Sequence, residues 1–136
     1  MTLIVKAVTR LTVGLILLYG IYIVLRGHIS PGGGFAGGVI IALSFIHLIL
    51  AFGKDAVLKK LSLEKVVFLA SAGVMLFLLL ATIGFFRASH GLISGNGFKL
   101  FSAGFIPLCD LAIALTVGMG LLAIFLVLTL LTADKE

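Results

Sequence analysis

The chain has 136 residues, 62% of them hydrophobic and only 11% charged, far from the roughly half apolar, one-quarter charged make-up of soluble domains. That balance excludes a water-soluble globular domain and points to an all-α integral membrane protein, read as a single membrane domain over residues 1–136. The formal charge of +5 comes from basic residues scattered between apolar runs, a pattern that suits helix orientation and lipid headgroups rather than nucleic acid.

Four runs are long enough for a helix to cross a hydrocarbon core, which takes about 20 residues. The first is predicted at about Leu3 to Leu25. Lys6 and Arg10 near its start are long enough to reach headgroups. No small-residue cleavage pattern follows, and Gly20 to Leu25 prolongs the run, so it reads as a retained helix rather than a leader. The second, about Gly34 to Phe52, contains no Asp, Glu, Lys or Arg. The third, about Leu63 to Phe86, starts after Ser62 as an N-cap, with Glu64 in its first turn. The fourth, about Phe105 to Leu131, has Pro107 near its first turn, where a missing N–H is tolerated. Lipid offers backbone groups no water, so each run has to be helical. No segment alternates with the period of a strand.

The distribution of Lys and Arg predicts an orientation. Lys6, Arg10, Lys54, Lys59, Lys60, Lys65 and Lys135 fall on one side, against Arg26, Arg87 and Lys99 on the other. The positive-inside rule then puts both termini and the middle loop in the cytoplasm of a multi-pass cell-membrane protein. The turn after the first helix and the loop from Arg87 to Ser102 would face outward. Leu92, Ile93, Phe98, Leu100 and Phe101 in that loop are compatible with a short re-entrant or interfacial segment.

The most specific stretch joins the first two runs: Gly27-His28-Ile29-Ser30-Pro31-Gly32-Gly33-Gly34-Phe35-Ala36-Gly37-Gly38. Pro31 is expected to end the preceding helix near Gly27 or His28. Gly32 to Gly34 are free to take positive φ and to let another backbone come close. Gly37 and Gly38 fall inside a helix, where glycine costs roughly 1 kcal/mol relative to alanine, a loss that close helix packing recovers in lipid. Ser30 and Pro31 shape the turn rather than carry chemistry. A phosphate-binding loop is disfavoured, because no lysine follows the glycines and the charge count turns them outward.

This order of residues, closing one membrane helix and opening the next, strongly resembles the MnhB/MrpB subunit of the Mrp-type multisubunit Na+/H+ antiporters. Every fixed position from Gly27 to Gly38 is filled, and the chain length and four-helix pattern agree. After Gly38 the likeness rests on the apolar runs and on Gly104-Phe105-Ile106-Pro107-Leu108. Related subunits occur in membrane-bound hydrogenase and sulfane reductase complexes, and the motif alone does not separate these settings. The resemblance implies a small, non-catalytic transport subunit packed beside large antiporter-like subunits, with Na+ and H+ as the transported ions, lipid around it and no cofactor. In the hydrogenase setting it would belong to a larger redox enzyme. A rival of another class is a self-sufficient homo-oligomeric channel.

Three residues are candidates for contact with ions. His47 lies near the middle of the second helix on a stripe with Gly33, Gly37, Ile40, Ser44 and Ala51. Small residues mark close packing, so the stripe is expected to turn His47 and Ser44 into protein. His47 then fits either a neutral hydrogen-bond donor across a helix interface or a place in or beside a proton path. Asp110 is the acid of the fourth run, one turn after Pro107. Near a helix N-terminus it reads first as a capping or interfacial group, and second as a cation ligand. Cys109 is the single cysteine and excludes an intramolecular disulfide. His28 and His90, without carboxylate or thiolate at ligand spacing, predict no metal site. Gly14, Gly20, Ser71, Gly73, Gly118 and Gly120 offer further small surfaces for partner helices. No chain of buried Lys and Glu crosses the membrane centre, which argues against a pump built from this chain alone.

Overall fold

A computed structural model describes residues 2–27, 29, 31–89 and 97–135, with side chains described outside 87–89 and 97–105. Its elements are α1 (Leu3–Leu25), α2 (Gly33–Phe52), α3 (Lys54–Leu58), α4 (Leu63–Ser89) and α5 (Gly97–Ala133). No strand occurs among the described residues. Four helices are long and apolar enough to cross a membrane, over Leu3–Leu25, Gly33–Phe52, Leu63–Phe86 and Ile106–Ala133.

α1 ends at Leu25, two residues ahead of the Gly27 expected from Pro31. The Arg26 N–H reaches back to the Tyr22 carbonyl and the Gly27 N–H to Val24, and the Ile29 N–H then donates to Arg26. Gly32 at φ +110° and Gly33 at φ +52° reverse the chain into α2, a backbone that a side chain would strain. At its far end α2 stops at Gly53, whose φ of +87° with ψ of 154° is a backbone that glycine adopts without strain. The five-residue α3 that follows was not foreshadowed by the apolar pattern. It carries Val57 into a core with Ile49, Val66, Leu122 and Leu126. At the same end the Arg10 guanidinium lies 5.7 Å from the centre of the Phe52 ring. That contact ties α1 to α2, so Arg10 does more than reach for headgroups.

α5 departs from expectation. Its 37 residues make a rod of about 55 Å at 1.5 Å per residue, and Pro107 lies inside it rather than in its first turn. Proline in a helix forfeits one backbone hydrogen bond, and a membrane helix tolerates that loss when neighbours compensate. The helix therefore continues back to Gly97. The expected segment around His90 and Ser94 lies outside the described residues.

Packing runs in a row from α1 to α2 to α5 to α4, with a lesser contact between α1 and α5. α2 and α5 run parallel, with Gly34 beside Asp110 and Gly38 beside Ala114. Of the three main contacts, only α2 with α5 joins helices that are not consecutive in sequence, the less common arrangement. α4 rests chiefly on α5, and only 11% of its apolar stretch is buried. The rest of that surface must meet lipid or other chains.

Candidate functional site

The glycine turn closes on α5, and at the point of contact stands Asp110. A side-chain carbon placed on Gly27 would lie 2.6 Å from Asp110 Oδ2 and 3.1 Å from the Gly33 Cα. One on Gly34 would overlap the Asp110 carbonyl oxygen. One on Gly33 would sit 3.3 Å from Oδ1 and 3.6 Å from the Gly27 carbonyl oxygen. Gly27 and Gly33 thus wall the carboxylate, while Gly34 packs on the Asp110 backbone.

Two further glycines continue the contact down the helices. Gly38 approaches the Ala114 backbone, where an added carbon would come within 2.7 Å of the carbonyl oxygen, and Gly118 of α5 backs onto Gly38 at 3.2 Å. Gly34 and Gly38, one turn apart, therefore face α5. Gly37 faces α1 instead, where an added carbon would overlap a methyl of Val24. Gly20 of α1 completes that seam against Ile40 and Ile41. Small residues permit such close approach, which in lipid is driven by dispersion and hydrogen bonding.

Asp110 does not occupy the place the sequence suggested. With α5 beginning at Gly97, it lies well inside the helix and cannot cap it, since the dipole's effect fades within the first turn. Its Oδ2 is buried and accepts no hydrogen bond among the described residues. Desolvating a polar oxygen without a partner costs about 1–3 kcal/mol, and more for a charge. An atom in that condition points to a ligand or to a function.

The stripe expected around His47 is divided by the structure. Ser44 is buried and donates its hydroxyl proton to the Ile41 carbonyl at 2.7 Å, so its side chain is satisfied within its own helix. His47 is exposed on this chain, against the expectation that it turns into protein here. One helical position of 100° on either side of a packed seam suffices to reverse a side chain's facing. Phe35 is likewise exposed, at 62%. Pro31 and Gly32 are exposed in the turn itself, and His28 and Ser30 lie outside the described residues.

Of the small residues assigned to partner helices, Gly20, Gly73 and Gly118 are consumed inside the chain, whereas Gly14 and Gly120 face open space. Ser71 is exposed and donates to Val67 of its own helix. Arg26 stacks over Tyr22 at 5.4 Å and donates to its hydroxyl, so its head is held at the end of α1. The pairing of Asp110 with the turn was the feature missed from sequence. Its signal was the spacing of Asp110, Ala114 and Gly118, four residues apart, which matches that of Gly34 and Gly38.

Comparison with known proteins bears on what this arrangement serves. Residues 4–123 match the family described as a domain related to the MnhB subunit of Na+/H+ antiporter. An uncharacterized protein of Methanocaldococcus jannaschii is 40% identical over 119 residues, covering 79% of this chain and 44% of that protein. A proposed antiporter subunit mnhB2 of Staphylococcus epidermidis is 44% identical over 59 residues, covering 43% of this chain and 42% of its own length. The Staphylococcus aureus protein of the same name is 42% identical over the same length. The chain thus spans less than half the length of the relatives it matches. With nearly all of its membrane helices inside the matched region, the chain belongs to the family of domains related to the MnhB subunit of Na+/H+ antiporters.

Proposed function

We propose that this chain is a small integral subunit of an Mrp-type Na+/H+ antiporter assembly in the cell membrane, supporting assembly and bordering part of the ion path. One observation carries the reading. The motif by which the chain resembles the MnhB-type subunit, Gly27 to Gly38, is the segment that packs around the acid of the fourth apolar run. A turn built only to connect two helices has no need to wall a carboxylate. The open row of helices adds support, because α1, α4 and the outer side of α2 keep broad apolar surface for neighbouring subunits. Asp110 and His47 are the groups we assign to the ion path. His47, exposed on α2, faces a partner subunit in this reading, since an imidazole at membrane depth is costly against acyl chains.

The test is to purify the whole complex carrying single substitutions and to assay antiport in vesicles. Gly37→Leu forces α1 from α2 and is expected to prevent the complex from forming. His47→Ala is expected to leave the complex intact and to change its transport rate. Normal assembly and transport by the Gly37→Leu complex would remove the packing claim, and unaltered transport by the His47→Ala complex would remove the histidine.

A further inference from the structure

We infer that Asp110 and the Gly27 carbonyl form a binding site for one small monovalent cation, sodium being the member of that class to test. The inference deepens the proposed function by assigning its substrate ion to a particular pair of oxygens, and its ion-path meaning rests on that reading.

Three observations converge. Oδ2 of Asp110 is buried without a hydrogen-bond partner among the described residues. Its other oxygen and the Gly27 carbonyl oxygen both approach Gly33, lying 3.3 and 3.6 Å from the point where a side chain there would begin. Gly33, at a positive φ of +52°, carries no side chain to cover these two oxygens. Oxygen donors, one of them anionic, are what a hard cation requires.

The charge of the ion follows from the acids available. A bound divalent cation ordinarily draws on several carboxylates. Asp55 in α3, Glu64 at the start of α4 and Asp134 after α5 all belong to the opposite end of the helices. One carboxylate beside neutral carbonyls balances a single positive charge. Transition metals are disfavoured too, since no group of three His, Cys, Asp or Glu side chains gathers among the described residues. Arg26, next to Gly27 in sequence, donates to the Tyr22 hydroxyl and lies over its ring.

The first experiment uses the purified complex with no substitution. Hydrogen–deuterium exchange is followed in the peptide containing residues 27–34, in sodium chloride and in choline chloride at equal ionic strength. Sodium is expected to slow exchange there severalfold while the α3 segment is unchanged. Equal exchange in the two salts, with antiport intact, would overturn the site and leave the subunit assignment standing. Sodium protection in a complex that performs no antiport would uphold the site and count against the proposed function.

The second experiment compares Asp110→Asn with the unaltered complex. The variant keeps the shape and removes the charge, so the sodium concentration for half-maximal antiport should rise about tenfold and the sodium-dependent protection should vanish. Gly33→Ala, which sets a methyl against Oδ1 and the Gly27 carbonyl oxygen and keeps the charge, should do the same. An Asp110→Asn complex that retains both protection and sodium affinity would overturn the assignment. Should either variant fail to assemble, the exchange measurement on the unaltered complex decides alone.

Discussion

At the scale of single residues, the glycines of this chain are not equivalent, and the structure says which substitutions matter. An alanine at Gly34 would place its Cβ on the Asp110 backbone carbonyl. Neither backbone has a rotamer with which to yield, so α2 and α5 must move apart. Gly34→Ala is expected to destabilise the protein by about 1–3 kcal/mol, the usual range for overpacking. Gly120 has nothing within 4 Å, so Gly120→Ala should be neutral in this chain or stabilise its helix by about 0.5–1 kcal/mol. Thermal unfolding of both variants in detergent checks the contrast, and equal melting temperatures would contradict it. Composition identifies these residues as small, but only their neighbours distinguish a contact from open space.

At the scale of elements, α5 is the helix on which the others depend. One face sets Ala114 and Gly118 against α2, and another sets Ala112 and Thr116 against α4. The α4 contact is local and testable. A side-chain carbon on Gly73 would lie 2.5 Å from Thr116 Oγ1 and 3.1 Å from the Thr116 amide nitrogen. Thr116 already donates its hydroxyl proton to Ala112 within α5, so shortening it leaves no partner stranded across the interface. Gly73→Ala alone should therefore lower stability, and Thr116→Ala in the same chain should restore part of the loss. The sign of the coupling comes from a double-mutant cycle, in which strict additivity would rule out the contact. Helix boundaries were legible where local chemistry set them. α1 ended at Leu25, ahead of Pro31, and α2 began one residue early at Gly33. They were not legible where a proline could be either a start or an interior residue, as Pro107 proved to be.

At the scale of the whole molecule, the charge count carries an orientation that the helix row does not itself contain. We propose that the Leu3 end of α1 and the Ala133 end of α5 lie in the cytoplasm, because seven of the ten Lys and Arg residues fall on that side. A reporter fused after residue 136 that is active only in the cytoplasm should be active, and one placed in the Gly27 to Gly34 turn silent. The reverse pattern would overturn the orientation. It bears on mechanism, because it would set the Asp110 cluster toward the outer face and the Val57 core toward the inner one. Among the described residues, the side of α4 away from α5 and the outer side of α1 stay uncovered, and the proposed function gives those faces to neighbouring subunits.

The sequence was enough to establish four helices long and apolar enough to span a membrane, the limits of the first two and the special character of the Gly27 to Gly38 turn. Each of those is written in residues adjacent along the chain: apolar length sets a span, and proline and glycine set its ends. Which helix fills a glycine face is not local information. A stripe such as Gly34 and Gly38 accepts any rod with small residues at the same spacing, whether from this chain or another. Only the tertiary structure selected α5 for that role, and by doing so it moved Asp110 from a supposed helix cap to the floor of the turn. It also turned His47 away from the packed seam, because one residue's rotation about the helix axis is decided by the neighbour that packs there.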